Sequence, residues 1–207
     1  GDVREQDRHD TGFAEVTLRR STGRHTWVSG VAVEQDGYIA TDLPQFSYAH
    51  TTPGVFIQDD IDVLPWLALS LSGRLDHHSE YGWFLSPRVS SLFRSGNWAT
   101  RLSAGTGFFG TTPLTEETEV AGLTRLTLDG SLRAERGRSA SIDITRTLGR
   151  FALTTMLFRS HIANPVHVER STYTLRNLLE PTTNRGMELL GTFRQAPFAI
   201  TTSYTYV

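Results

Sequence analysis

The chain has 207 residues, of which 38% are hydrophobic, 20% charged and 10% aromatic, with 20 basic side chains (all Arg) against 22 acidic ones and a net charge of -2. That balance belongs to a folded chain rather than a disordered one, and the lack of a basic surplus argues against nucleic acid as a partner. No cysteine is present, which excludes disulfides, thiolate nucleophiles and thiolate metal sites and leaves the redox compartment open. No run approaches the ~18 apolar residues of a membrane-spanning helix, but spanning strands, whose side chains alternate, are untouched by that test. The opening GDVREQDRHD (1–10) has no apolar core for a signal sequence, so the chain is read as processed, truncated or cytosolic.

Period-two alternation sets out ten strands, over 12–20, 24–34, 55–63, 66–76, 87–94, 97–106, 136–147, 150–160, 185–195 and 198–207. In 66–76, Leu67, Leu69, Leu71 and Leu75 take one side while Ala68, Ser70, Ser72, Arg74 and Asp76 take the other. In 198–207, Phe198, Ile200, Tyr204 and Tyr206 share a face with Thr202. No stretch shows convincing helical periodicity. The connections alternate in length: short at 21–23, 64–65, 95–96, 148–149 and 196–197, longer at 35–54, 77–86, 107–135 and 161–184. A transmembrane barrel has that rhythm, with short turns at one rim and long loops at the other, and strands near ten residues fit the ~9–11 tilted residues that cross the apolar layer. The expected fold is therefore all-β: an antiparallel up-and-down meander, part of a transmembrane β-barrel, with every long connection at one end.

The alternating rows have the chemistry of a wall between lipid and a wet lumen. In 136–147, Ala140, Ile142, Ile144 and then Leu148 would meet lipid, while Ser139, Ser141, Asp143, Thr145 and Thr147 would face inward. Arg146 interrupts the apolar row beside a short turn, where an Arg reaches the headgroups at little cost. Trp27, Trp66, Trp98, Phe151, Phe198 and Tyr206 stand at strand ends and suit an interfacial girdle or, equally, the core of a soluble β protein. Arg88 and Arg101 occupy wall positions where a charge must face the lumen and find a partner.

Several stretches resemble the barrel of a TonB-dependent outer-membrane receptor: PGVFIQDDIDVLPWLALSLSGRLDHHSEYG (53–82), SPRVSSLFR (86–94), RLSAGTGFFGTTPLTEETE (101–119), LRAERGRSASIDIT (132–145), NPV (164–166) and NRGMELL (184–190). The resemblance covers most of the chain and lies in the order and spacing of these stretches. It implies residence in the bacterial outer membrane and active uptake of a scarce bulky nutrient complex, commonly a ferric siderophore, with cobalamin or a carbohydrate as other cargoes. No resident cofactor is implied. The implied partners are an extracellular metal chelate, outer-membrane lipid, and TonB acting through a plug domain that closes a barrel of about 22 strands. With ten strands and nothing resembling a plug or TonB-contacting segment, the chain reads as a partial barrel lacking its plug and its remaining strands. It also departs from the family's pattern. It stops at Val207 rather than at an aromatic, and Gly110-Thr111 stands where the family often has Ala-Pro.

Candidate ligand contacts are His77 and His78 with Tyr81 and Trp83, set against a solvated loop tip. Others on the long loops are Tyr38, Phe46, Tyr48, His50, Phe108, Phe109, Arg125, His161, His167, Arg170 and Tyr173, set against ordinary loop packing. Asp59 and Asp60, with Asp76 and His77, suggest a hydrolase only weakly, because strand neighbours point to opposite faces. No nucleophile elbow, phosphate loop or HExxH is present, so an enzyme is not expected. By the resemblance, Glu135 and Glu188 match positions where inward glutamates pair with plug arginines, and the parity of their strands also turns both inward. Pairing with a wall Arg such as Arg138 or Arg194 is the structural alternative. Against transport stand a non-transporting binding or adhesion module and a passive porin.

Overall fold

The computed structural model describes residues 6–207, so part of the opening segment read above for targeting lies outside the described residues. Ten long strands run in chain order: β1 (Asp7–Thr22), β2 (His25–Ala40), β3 (Tyr48–Leu64), β4 (Leu67–His78), β5 (Gly82–Ser95) and β6 (Trp98–Phe109) precede a long connection holding helix α1 (Glu116–Ala121) and the short β7 (Thr127–Leu128). After it come β8 (Glu135–Leu148), β9 (Phe151–Ala163), the short β10 (Val166–Glu169) and β11 (Thr174–Asn177), β12 (Thr182–Gln195) and β13 (Phe198–Tyr206). The ten long strands form one antiparallel sheet in the order β1-β2-β3-β4-β5-β6-β8-β9-β12-β13, with β1 and β13 as its unpaired edges. All ten expected strands are present, in the expected meander.

The strands outrun their expected bounds at the long-loop end. The connection expected over 35–54 is mostly ladder, since β2 and β3 pair continuously from His25↔Ile61 to Tyr38↔Tyr48. The connection expected over 77–86 shrinks to a turn at 79–81. Alternation of polar side chains on both faces above the apolar band hides a strand from a hydrophobicity reading, so 35–40 and 48–54 carry no strand signal in the sequence. The helix at 116–121 was also missed. It is a single capped turn set by Thr115, whose hydroxyl accepts from the Thr118 N–H, and it is too short for a 3.6-residue period to register.

Five two-residue turns lie at one end, at 23–24, 65–66, 96–97, 149–150 and 196–197. Gly23, Gly96 and Gly149 open three of them with φ of 59°, 54° and 57°, a conformation that glycine alone adopts without strain. All the long connections lie at the other end. Among the described residues the one parallel pairing, β11 with β7, belongs to a separate small sheet (β10-β11-β7) inside those connections.

Where the strands pair without a shift, the ladder registers assign side chains to one face or the other. One face carries Ser70, Ser72, Arg74 and Asp76 of β4, Ser90 of β5, Ser103 of β6 and Ser141 and Asp143 of β8. It is held by hydroxyl contacts such as Ser103 to Ser90 (3.2 Å) and Thr145 with Thr154 (2.8 Å). The opposite face carries Leu18, Val31, Ile57, Leu71, Leu85, Leu102, Ile144, Leu157 and Ile200, all among the exposed large hydrophobics. Exposed apolar side chains spread over a whole sheet face need a lipid or protein cover.

The aromatics beside the short turns settle the choice left open above. Trp27, Trp66, Trp98, Phe151 and Phe198 are 43–68% exposed on the apolar face, so they form a rim and not a core. Arg146 lies over the Trp98 ring at 5.0 Å in that rim. Tyr206 stands at the other end of its strand. The buried core is instead at the long-loop end. Leu123 and Leu126 of the β6–β8 connection and Val168 and Leu175 of the β9–β12 connection pack with Phe46 against Tyr38 and Ala40 of β2. Two connections from one side of the sheet thus fold across its polar face onto β2 and β3.

Candidate functional site

Beneath these folded connections the polar face holds a cavity of about 510 Å³, lined among others by Tyr48, His50, Arg74, Asp76, His78 and Phe109. Tyr48 and His50 come from alternate positions of β3, and Arg74, Asp76 and His78 from alternate positions of β4, so period two alone aims all five the same way. Asp76, only 3% exposed, accepts both of its hydrogen bonds from Nε of Arg74, at 2.8 and 3.0 Å. Gly54 lies opposite Asp76 in the ladder, and a Cβ there would collide with the Asp76 carboxylate.

Four rings follow one another along the cavity wall. Tyr48 stacks on His50 (centroids 5.0 Å apart), His50 meets His78 (4.8 Å) and His78 meets Tyr81 (4.8 Å). Nδ1 of His78 accepts the backbone N–H groups of Glu80 (3.2 Å) and Tyr81 (3.4 Å), which places the ring proton of the neutral form on Nε2. His78 stands above Leu75, where the apolar row of β4 ends. There burial, helped by the neighbouring His50, lowers its pKa from the ordinary value of 6.5 against the opposing pull of Glu80 and Asp36. The Tyr81 hydroxyl, whose pKa is raised by burial and by Glu80, donates to the Thr111 carbonyl at 2.6 Å.

Gly110 seals the other side of His78: a Cβ there would sit 2.5 Å from Nε2. Gly110 is therefore the residue that leaves room for this imidazole. Asp36, opposite His50 in the ladder, is bonded to His9 at 2.7 Å, which brings β1 into the same site.

The expected contacts divide. His78 and Tyr81 enter the site, whereas His77 and Trp83 pair on the apolar face with centroids 4.7 Å apart. Phe108 and Phe109 both line the cavity, and Phe108 also stacks on Phe84 (3.8 Å), beyond the end of the β5–β6 ladder at Arg88↔Gly105. Arg125 is exposed on the long connection. Tyr173 donates to the Gly122 carbonyl (2.9 Å) within the loop core. Tyr38, Tyr48, His50 and His161 prove to be strand residues rather than loop residues.

Arg88 and Arg101 face inward as expected, Arg101 directly opposite Asp143. Glu135 and Glu188 both lie on the polar face, opposite Phe109 and Met156 respectively. Glu135 accepts from the Val166 N–H at 2.6 Å, and Arg138, its suggested wall partner, is on the other face. Asp59 and Asp60 are split as expected: Asp59 bonds His25 (2.7 Å) on the apolar face, and Asp60 accepts from Gln58 on the polar one. Among the described residues, no group of three or more His, Asp or Glu side chains is disposed to hold a metal ion.

The signal for the residues missed, His9, Asp36 and Arg74, was the same alternation carried past the apolar band.

An open antiparallel wall with an exposed apolar face, an aromatic rim and a ligand-sized cavity under folded loops defines a partial transmembrane barrel. The chain belongs to the TonB dependent receptor-like β-barrel family, whose sequence profile matches residues 5–207. No curated protein matches it. Among solved structures it is similar to the siderophore receptor PirA from Pseudomonas aeruginosa, with TM-score 0.76 and 14% identity over 97% of this chain and 44% of that one. It is similar too to the FrpB iron transporter from Neisseria meningitidis, with TM-score 0.76 and 14% identity over 98% and 36% of the two chains. The ferric enterobactin receptor PfeA from Pseudomonas aeruginosa gives TM-score 0.74 and 15% identity over 97% and 35%. The chain thus spans less than half the length of these receptors, and its family is one of transport receptors rather than enzymes.

Proposed function

We propose that this chain is a wall segment of a bacterial outer-membrane receptor that takes up a ferric siderophore or similar bulky metal chelate, energised by TonB through a plug domain. The observation that carries the reading is the cavity on the polar, lumen-facing side, roofed by connections folded across the wall. Its chemistry suits the periphery of a chelate. The rings of Tyr48, His50 and Phe109 offer stacking surfaces to an aromatic chelator, and Arg74, held at Nε by Asp76, keeps its Nη groups to donate hydrogen bonds to a chelator's oxygens. The iron is cargo held by its own chelator.

Glu188, inward in β12, is the stronger candidate for a plug contact, since one Glu135 oxygen is already occupied by Val166. Glu135 keeps its second oxygen for the same role. The test uses the natural full-length protein in its host under iron limitation. Radio-iron supplied as ferric enterobactin, or as ferric hydroxamates, is expected to accumulate only when this receptor and TonB are both intact. Accumulation that persists without TonB would make the protein a passive pore; no accumulation of any ferric chelate would move the cargo outside this class.

A further inference from the structure

The apolar face of the wall is lipid-facing in the reading above, and its upper rows in β8, β9 and β12 change character abruptly. Ile142, Leu157 and Met187 lie side by side across three strands. The next outward row is Ala140, Arg159 and Arg185, and the one above it Arg138, His161 and Thr183. Arg159 thus stands directly opposite Arg185, and Arg138 opposite His161. Like charges opposed in a ladder are destabilising unless something lies between them.

No protein group on this surface answers that charge. The outward rows of β6, β8, β9, β12 and β13 contain no Asp or Glu; Asp143, Glu135 and Glu188 all face the other way. Among the described residues, none of Arg138, Arg159 and Arg185 forms an ion pair within 4.0 Å. The other half of the wall is different, since its outward acids are all partnered: Asp10 by Arg8 (2.6 Å) and Asp59 by His25 (2.7 Å).

The same place holds a hollow of about 820 Å³, with Arg138, Arg159 and His161 among its lining and Val89, Ala104 and Ala140 on its apolar side. Ala104 and Ala140 are ladder partners, so two small side chains create the depression below the cations. A further strand pairing with β13 would extend the sheet sideways and leave this face uncovered.

From this geometry we infer a binding site for the phosphorylated headgroup of an outer-leaflet lipid, with phosphate oxygens between the opposed arginines and an acyl chain along the Ala104–Ala140 depression. Guanidinium forks are matched to phosphate, and basic clusters at the apolar boundary attract anionic lipid. The inference rests on the outer-membrane reading of the preceding subsection.

The experiment uses the natural full-length protein, extracted in mild detergent and observed by native mass spectrometry with diphosphoryl lipid A, zwitterionic phosphatidylethanolamine or inorganic phosphate as probes. The wild type should retain one lipid A in preference to phosphatidylethanolamine. Arg138→Gln/Arg159→Gln/Arg185→Gln should lose at least about tenfold in retention, the scale of one charge-assisted contact. Single Arg159→Gln and Arg159→Lys variants cover a triple variant that fails to fold: the first should lose several-fold and the second less. Equal retention by wild type and variants overturns the site. Displacement of lipid A by millimolar inorganic phosphate, or phosphate binding in its place, also overturns the lipid assignment by making the cluster a free-anion site. Fractionation of the same cells separates the two readings: a protein absent from the outer membrane defeats the functional reading, whereas one present there without lipid selectivity defeats this inference alone.

Discussion

The Glu135 carboxylate accepts the backbone N–H of Val166 at 2.6 Å, so the first residue of β8 anchors the first residue of the hairpin that covers the polar face. Removing the acceptor leaves a partly buried amide without a partner, a loss of about 1–2 kcal/mol borne by local opening of the hairpin. Glu135→Ala should speed hydrogen exchange at Val166 and its neighbours roughly tenfold, with Glu135→Gln intermediate. Unchanged exchange in Glu135→Ala would show that the loop core alone holds the hairpin.

Gly110 and His78 form the tightest contact of the cavity. Gly110→Ala must displace the imidazole or the connection that follows, an overpacking cost of about 1–3 kcal/mol. If the proposed uptake of a ferric chelate holds, affinity for ferric enterobactin as probe should fall while strand content holds. The double change Gly110→Ala/His78→Ser should restore much of the packing without restoring affinity. Calorimetric titration of the full-length receptor with ferric enterobactin reads both effects.

Burial lowers the His78 pKa, so the unfolded chain binds this proton more readily than the folded one. Its contribution to stability is therefore fully present above the ordinary value of 6.5 and is lost as pH falls through the lowered folded value. Acidification from neutrality to about pH 5 should loosen the contact of Tyr81 with Thr111, seen as faster exchange in 110–112. His78→Gln should remove that pH dependence. A dependence that survives His78→Gln would show that His78 is not its source.

Phe158 of β9 lies over Gly186 of β12, as Phe56 of β3 lies over Gly30 of β2; in each case a Cβ on the glycine would strike the ring. An aromatic ring across a glycine supplies the packing the glycine lacks and helps fix the register. Gly186→Ala and Phe158→Ala should each lower the temperature of heat-induced gel-shift unfolding by several degrees, about 1–3 kcal/mol. No change in either would make the pair incidental.

The membrane band was legible because there chemistry differs between the two faces. Leu67, Leu69 and Leu71 against Ser70 and Ser72 can be read by eye, and the short turns announce themselves through Gly23, Gly96 and Gly149. The site was less legible because it lies above that band. Between 35 and 54 both faces are mixed, and His50 looks like a loop residue until the Tyr38↔Tyr48 ladder places it. Sequence also merged His77 with His78, although a strand separates neighbours to opposite faces. The loop core was invisible for a different reason. Leu123, Leu126, Val168 and Leu175 are scattered through segments without periodicity, and only the tertiary fold brings them onto Tyr38.

The central claim is that one face of this wall meets lipid and the other meets the arriving chelate, and this chain, which has no cysteine of its own, offers single-cysteine positions that test it against the unsubstituted full-length receptor as labelling control. In the full-length receptor on intact cells, single Thr52→Cys and Val55→Cys variants of β3 would be treated with a membrane-impermeant maleimide, with and without ferric enterobactin. Thr52 lines the cavity, whereas Val55 lies on the apolar face, 52% exposed in the protein alone. The account predicts labelling at Thr52→Cys that a bound ferric chelate suppresses, and none at Val55→Cys because lipid covers it. Equal labelling of the two positions, untouched by any ferric chelate, would contradict it.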